Sequence, residues 1–500
     1  MSSRVTERII EGSLTSQDVA AVAGGAWLRL SHPAQDRIAQ ARALVDVIVE
    51  RGVRCYGVNT GVGALADVLV DQAQQSALSH NILMSHACGV GAPLSVKETR
   101  AIMACAINNF AHGGSGVRPV VVDRLLALLN ANFIPLVPRL GSIGYITHMA
   151  HIALALIGAG SVCCVDGVIS GADALQRLGT PPLELAAKEG LSLVNGTPDT
   201  CGLASVALER LSRLMDWADV VAAMTFENIG HNPAVYAPEA LRFGASEAIS
   251  ETGRRLSGVL TGSEILSKPR SRTQDAMSLR AVPQVHGAVR ESVAASVRAV
   301  DRELASVTDN PIVAGTLDAP VAYAGAFAIG SALALSLDAL AIAAAKIAAI
   351  SERRIDRMVN PLVSGLPAFL AGNPGVSSGF MIAQYTALGL ASDNRRLAAP
   401  SSLDGGVSSG LQEDEIPHAT TGALRVLTIV DNFETILAIE LLAAAQCYEF
   451  QDPKLARAPA TDAIYHSLRR FLAPYTDDRP LATDIAGAID FLRRESPPFG

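Results

Sequence analysis

The chain has 500 residues, of which 48 are acidic and 40 are basic, so its formal net charge is −8. This mild negative charge disfavours nucleic acid or an anionic membrane as a partner. Hydrophobic residues make up 49% of the chain but aromatic residues only 4%. The core must therefore consist mainly of Ala, Leu, Ile and Val, which favours long, closely packed helices. The 7 cysteines show no framework spacing, which indicates reduced thiols in a cytosolic protein.

Neither the N-terminus nor the longest apolar stretch is predicted to be a targeting or membrane segment. The N-terminus, MSSRVTERIIEGSL, has charges where a signal peptide needs apolar residues, so we expect no export and a cytoplasmic location. The stretch AIGSALALSLDALAIAAAKIAAI carries Asp338 and Lys346 inside it. Charges in the middle of a membrane span are costly, so this stretch is predicted to be a buried helix.

Hydrophobic periodicity predicts mainly helices along the chain. A Gly-rich loop, YGVNTGVGALA, follows the first long helix, and CCVDGVIS is a candidate hairpin. The spacing predicts one continuous unit, with a loop-rich active-site part over residues 1–200 and a bundle of long helices over 201–500. The turn-rich region 230–283 carries NPAVYAPEA and LSKPRSRTQDA. The predicted helices span 35–52, 72–85, 97–111, 119–131, 201–229, 284–307, 324–354, 377–398 and 419–449.

The stretch PRLGSIGYITHMAH, residues 138–151, combines a tight turn with the start of an apolar helix. Free N–H groups and the helix dipole make such a turn a place for electron-rich groups. His148 and His151 are three residues apart on one helical face and could share a metal ion. Since no third ligand follows, satisfied histidines are favoured and no metal site is predicted.

Two further segments offer side chains for acid–base chemistry. GVNTGVG lacks the Lys-Ser/Thr pair of a phosphate-binding loop, and the segment is better suited to place Tyr56 and Asn59 in a cleft. A tyrosine there could be an acid or base, or a buried residue with a satisfied hydroxyl. His86, in LMSHACGVG, lies at a predicted helix end and is either catalytic or a helix-capping partner.

Charged residues stand in two later loops. Arg280, in QDAMSLRAVPQ, could bind a carboxylate in two-point fashion or lie at the surface. QEDEIPHA contains Glu413 within an acidic run, which could hold one carboxyl group of raised pKa or form a solvated turn.

Several motifs, in this order and spacing, resemble the histidine and aromatic amino-acid ammonia-lyases over residues 50–450. They are YGVNTGVG, ILMSHACGVGAPL, LAAKEGLSLVNGT, QDAMSLR, TDNP, SERR, GVSSGFMIAQ and QED. The resemblance implies a mostly helical protomer with a central bundle of long helices. It also implies a homotetramer whose active sites combine loops from three chains.

The resemblance assigns roles to the residues that match those motifs. Tyr56 corresponds to the family's β-proton base and His86 to a site residue. Asn195 contacts cofactor and substrate, Arg280 binds the substrate carboxylate, and Glu413 lies near the substrate amine. The remaining members of the predicted substrate-binding set are Asn59, Phe327 and Gln384.

The family's cofactor-forming residues are missing from the opening turn. Ammonia-lyases carry Ala-Ser-Gly after a GSVG-like turn, and this tripeptide cyclises into an electrophilic methylidene-imidazolone. Here Gly144 is followed directly by Tyr145 and Ile146, where the family has Asp-Leu after the tripeptide. Two distant positions also depart: Met277 replaces the second catalytic Tyr, and Ala326 replaces the Asn of a GGNF loop.

These departures predict a repurposed enzyme without the cofactor. It would perform Tyr56-based acid–base chemistry, such as elimination, isomerisation, cyclisation or hydrolysis. The substrate would be a small carboxylate derived from an amino acid, and Tyr145 and His148 would be new catalytic residues. One alternative is an ordinary ammonia-lyase or aminomutase whose modified residue was dropped from the written sequence. The other is a non-catalytic binding or partner subunit.

Overall fold

The computed structural model describes residues 6–267 and 273–499. It is mainly helical, as the periodicity predicted. Part of the predicted loop LSKPRSRTQDA, and the first residues of the N-terminal stretch, lie outside the described residues.

The helices of the first 200 residues are mostly short. They are α1 (Ser16–Ala23), α2 (His32–Glu50), α3 (Gln75–His86), α4 (Val96–Ala111), α5 (Pro119–Asn130), α6 (Thr147–Leu154), α7 (Gly171–Arg177) and α8 (Glu189–Val194). Four of them, α1, α2, α4 and α7, start with a side-chain cap. Thr15 and Ser95 each form a capping box, with Asp18 and Glu98, and these boxes satisfy backbone N–H groups that a helix start leaves free.

The later helices include five that are long and close to their predicted bounds. The main difference is that the helix predicted over 324–354 starts only at Ser331, because Gly330 adopts a left-handed φ of 63° and ends the preceding loop. The helices are α9 (Pro198–Ile229), α10 (Pro238–Leu241), α11 (Glu247–Leu260), α12 (Met277–Arg280), α13 (Val282–Leu304), α14 (Ser331–Val359), α15 (Pro361–Ser364), α16 (Met381–Leu397), α17 (Ala419–Cys447), α18 (Pro459–Arg469) and α19 (Leu481–Arg494).

The strands are short and form small sheets of two or three strands each. The strands are β1 (Glu7–Ile10), β2 (Trp27–Leu30), β3 (Val90–Pro93), β4 (Ile134–Pro135), β5 (Pro138–Leu140), β6 (Ser161–Cys164), β7 (Gly167–Ser170), β8 (Ile312–Gly315) and β9 (Pro320–Tyr323). β1 pairs with β2 in parallel; the pairs β3–β5, β4–β6, β6–β7 and β8–β9 are antiparallel. The predicted hairpin over CCVDGVIS is confirmed as β6–β7.

The chain forms two compact units. The first comprises Met1–Glu209, Ser296–Asp338 and Pro400–Leu427, and it contains all the sheets described above. The second comprises Arg210–Ala295, Ala339–Ala399 and Thr428–Gly500 and is helical. The predicted division near residue 200 stays a prediction.

One described helix, α14, is long and apolar enough to cross a membrane, judged by length and composition alone. Of its most apolar window, 61% is buried inside the protein. Asp338 in this helix accepts hydrogen bonds from the backbone N–H groups of Ser401 and Ser402. These contacts agree with the predicted buried helix.

Candidate active site

A cavity of about 790 Å³ lies in the first unit, and loops supply most of its wall. Polar side chains from distant parts of the sequence meet there. The residues that the sequence analysis had singled out and that line it are Tyr56, His86, Tyr145, Asn195 and Glu413. The cavity also includes Asn310, the backbone around Gly325, and Ser408, Ser409, Gln412, Asp414 and Glu415.

Tyr56 is held by the Gly-rich loop predicted to carry it. Gly57 has φ of 63°, and a Cβ there would lie 2.1 Å from Leu191 Cδ2, so this position requires glycine. The Gly63 N–H donates to the Tyr56 hydroxyl oxygen at 3.2 Å. Asn59 does not line the cavity; its Oδ1 accepts from Cys55 N–H and its Nδ2 donates to Val53 O. Asn59 therefore holds the backbone of the Gly-rich loop and is not part of the cavity wall.

His86 ends helix α3 and lies at the cavity wall. Its Nδ1 is 2.9 Å from Ser85 Oγ, which leaves Nε2 for a ligand. Burial lowers the pKa of His86, an effect that a hydrogen bond with the Ile82 backbone only partly offsets. The imidazole is therefore neutral at pH 7 and can donate or accept a hydrogen bond.

The pKa values of Glu413 and Tyr145 are both raised, which favours the neutral form of each side chain. Burial raises the pKa of Glu413. Burial, followed by the negative charges of Glu413 and Tyr56, raises the pKa of Tyr145 to about 12. Tyr145 is therefore protonated at neutral pH, which suits a hydrogen-bond donor rather than a base.

The turn before α6 lies where three helices begin, as expected for a site that stabilises negative charge. Ser142 Oγ donates to Asp199 Oδ2 at 2.8 Å, and Asp199 is the second residue of α9. Ser142 Oγ also contacts Thr420 Oγ1 at 3.3 Å, in the first turn of α17. The partial positive charges of these helix starts converge on residues 142–146.

The same turn is strained. Ile146 has φ of 80° and ψ of −72°, the conformation of a tight γ-turn that β-branched residues rarely adopt. Such a residue costs on the order of 1–3 kcal/mol. The strain falls two residues after Gly144, at the turn where the resemblance to the ammonia-lyases implies three more residues.

The other predicted site residues do not line this cavity. His148 is fully buried, with Nε2 bonded to Arg139 O and Nδ1 3.4 Å from Asp199 Oδ2, so the structure does not place it as a catalytic group. Phe327 is 43% exposed beside the cavity-lining Ala326. Arg280 and Gln384 belong to the second unit. Among residues 6–267 and 273–499, no cluster of His, Cys, Asp and Glu could hold a metal ion.

The sequence analysis missed the polar groups behind the cavity. Asn195 follows α8, and its Nδ2 donates to Asn310 O at 2.9 Å. Behind it, Lys188 and Asp309 form a buried ion pair. Both residues lie in motifs noted above, LAAKEGLSLVNGT and TDNP. The usable signal was a single lysine in the largely apolar segment LAAKEGLSLV, since lysine is almost never buried without a partner.

Comparison with known proteins gives a consistent result over nearly the whole chain. The profile of the aromatic amino acid lyase family matches residues 14–470. The chain is 43% identical to a histidine ammonia-lyase of Symbiobacterium thermophilum, over 96% of this chain and 95% of that protein.

Solved structures agree with this similarity. Histidine ammonia-lyase from Trypanosoma cruzi has a TM-score of 0.90 at 33% identity and covers 98% of this chain and 93% of its own. Tyrosine aminomutase from Streptomyces globisporus has a TM-score of 0.91 at 32% identity, with 97% and 96% covered.

These relatives overturn two expectations drawn from the missing tripeptide. The expected repurposed, non-ammonia-lyase enzyme is wrong, because near-full-length similarity to histidine ammonia-lyases supports the ordinary reaction. The expected absence of a cofactor is wrong for the same reason, since such relatives imply the methylidene-imidazolone. Three missing residues and two substitutions do not outweigh a similarity that extends over nearly the whole chain.

Proposed function

This chain belongs to the aromatic amino acid lyase family, and on that premise we propose that it is an ammonia-lyase with histidine as the leading substrate. The observation that carries the proposal is the meeting of Tyr56, His86, Asn195 and Glu413 at one cavity. These residues are far apart in sequence, and each matches a motif of the family. Their joint presence favours an enzyme over a non-catalytic binding subunit.

The chain's own residues account for substrate binding and proton transfer. Tyr56 is the base that removes the β-proton, and the Gly63 N–H bonded to its oxygen remains a donor after the proton arrives or leaves. His86, neutral and fixed through Nδ1, presents Nε2 to an imidazole side chain. Glu413 lies near the substrate amine, and Asn195 supplies a polar anchor.

The helix starts around Gly144 fit the family's methylidene-imidazolone, whereas the tripeptide that forms it is absent from the sequence. The starts of α6, α9 and α17 meet at the turn. Ile146 is strained within this turn, which has three fewer residues than the resemblance to the family implies. The group supplies an electrophile that makes the amine a better leaving group. The written sequence does not contain its precursors, so the proposal requires three residues between Gly144 and Tyr145 in the protein itself.

Intact mass with peptide mapping across 141–151 tests the cofactor. We expect a mass about 180 Da above that of the written sequence, which corresponds to Ala-Ser-Gly after loss of two waters. A peptide that matches the written residues would refute the proposed cofactor.

Ammonia release from L-histidine, L-tyrosine and L-phenylalanine tests the reaction. We expect turnover with at least one of them and the highest kcat/KM for histidine. No release from any of the three, by a protein that carries the extra mass, would overturn the proposed reaction.

Aminomutase activity is the second candidate, favoured by the TM-score of 0.91 to the tyrosine aminomutase. The two reactions share a substrate and differ in product. A lyase releases ammonia with an α,β-unsaturated acid, whereas an aminomutase yields a β-amino acid. Product analysis by NMR separates them.

We also propose a homotetramer with shared sites and a cytoplasmic location. The positions of Arg280 and Gln384 outside the described cavity lining support sharing, and all seven cysteines are free thiols. Mixing Tyr56→Phe and Arg280→Ala chains tests whether the active sites are shared between chains. If the two side chains come from different chains, mixed assemblies regain part of the activity; no recovery in verified mixed assemblies would refute sharing.

A further inference from the structure

Lys188 and Asp309 form an ion pair directly behind Asn195 that the chemistry above does not use. Both side chains are fully buried. Lys188 Nζ donates to Asp309 Oδ2 at 3.0 Å and to Ser192 Oγ at 2.8 Å. Removing two charges from water is costly, and replacement by apolar residues is often neutral or stabilising. A stabilising role alone is therefore a weak explanation for this pair.

Lys188 and Asn195 both bind to the dipeptide Asp309–Asn310. Lys188 precedes helix α8 and Asn195 follows it. Asp309 Oδ2 accepts from Lys188, while Asp309 Oδ1 lies 3.4 Å from Asn195 Nδ2. Asn310 O accepts from the same Nδ2 at 2.9 Å. Both ends of α8 are thus fixed to Asp309–Asn310.

This arrangement selects one orientation of the Asn195 amide. A carboxylate oxygen and a carbonyl oxygen can only accept, so the amide must turn its NH₂ group towards them. Its carbonyl oxygen is then the atom left to face the cavity. The reversed amide would set oxygen against oxygen.

Two further observations connect the pair to the cavity. Lys188 has φ of 71°, a left-handed conformation that is unfavourable for a lysine and that its side-chain contacts maintain. Asn310 Oδ1 accepts from Gly325 N–H at 2.9 Å, and both residues line the cavity. The dipeptide that binds Lys188 therefore also positions part of the cavity wall.

We propose that Lys188 and Asp309 are positioning residues, which hold the Asn195 amide with its oxygen towards the substrate. The effect on turnover rests on the proposed ammonia-lyase function. The effect on the geometry of Asn195 does not.

The test is Asp309→Asn in the full-length protein, alone and combined with Asn195→Ala. We expect Asp309→Asn alone to lower kcat on the order of 100-fold, as misplacement of a site group does. In the Asn195→Ala background it should have little further effect, because groups that act through one another are not additive. An equal loss in both backgrounds would overturn the proposal.

Glu440→Gln is the matched control. Glu440 pairs with Arg354, and both of these side chains are also fully buried, but neither lines the cavity. We expect the control to lower thermal stability and to leave kcat per folded protein unchanged in both backgrounds. If Asp309→Asn does not fold, Lys188→Met/Asp309→Asn removes both charges together and should show the same dependence on Asn195.

A crystal structure of the folded Asp309 variant gives a readout independent of turnover. We expect the Asn195 side chain to be displaced or turned. An unmoved Asn195 would overturn the proposal even if activity falls. If the wild-type protein releases no ammonia, the proposed function fails while this readout still decides the role of the pair.

Discussion

Two of the fully buried ion pairs among residues 6–267 and 273–499 lie in contrasting surroundings. Arg354 and Glu440 join the long helices α14 and α17, and the Glu440 carboxylate also accepts from Thr225 and Ser351. Lys188 and Asp309 lie instead between a short helix and a loop, next to a residue that lines the cavity. Burial is equal, but only the second pair contacts a residue that lines the cavity.

The contrast extends to other titratable groups of the two units. In the helical region, Glu227 accepts from Tyr448, Thr461 and the Ala458 N–H, so its carboxylate is enclosed by donors. At the cavity, Glu413 and His86 are only partly enclosed. Burial raises the pKa of Glu413 and lowers the pKa of His86, so it favours the neutral form of both. The Glu227 carboxylate is therefore occupied by contacts within the fold, whereas Glu413 and His86 at the cavity are available for chemistry.

Tyr56→Phe should produce the largest effect. Removal of a general base costs 10²- to 10⁴-fold, and we expect kcat to fall about 10³-fold, or about 4 kcal/mol in activation free energy. Steady-state kinetics measures the loss, with circular dichroism and the thermal midpoint as controls for folding. Unchanged turnover would exclude Tyr56 as the base.

Glu440→Gln should mainly affect stability. Breaking a buried pair leaves Arg354 without its carboxylate, and we expect the free energy of unfolding to fall by about 3 kcal/mol. Denaturant titration measures it if unfolding is reversible. A selective loss of kcat at unchanged stability would contradict the division between the two regions.

Glu413→Gln should give a smaller, pH-dependent effect. We expect kcat/KM to fall about 30-fold, or about 2 kcal/mol, through loss of the carboxylate near the substrate amine. Because burial raises the pKa of Glu413, the wild-type protein should lose activity as pH falls through a value above the ordinary 4.5. The variant should lack this acidic limb. Identical pH profiles would remove Glu413 from the reaction.

Ser95→Ala should give the smallest effect and serves as a control within the first unit. Ser95 caps α4 through the Glu98 N–H, and loss of such a cap costs about 1 kcal/mol. The thermal midpoint should fall slightly and kcat should not change. A marked fall in kcat would show that stability and activity are coupled in this unit.

Much of the fold was predictable from the sequence because the signals are local. The long helices follow from apolar residues at helical spacing, and the β6–β7 hairpin follows from its central turn. The late start of α14 was missed because the residues around Gly330 are apolar at helical spacing, although they do not form a helix. Its glycine adopts a conformation that periodicity does not register.

The sequence by itself determined the helical class, the family and the motif residues Tyr56, His86, Asn195 and Glu413. Only the tertiary structure decided which polar residues meet: it brought these four to one cavity, placed His148 in the core, and set Lys188 against Asp309. The physical reason is that helix formation depends on neighbours within a few residues. The partner of a buried charge is chosen by long-range packing, which no single segment of the sequence encodes.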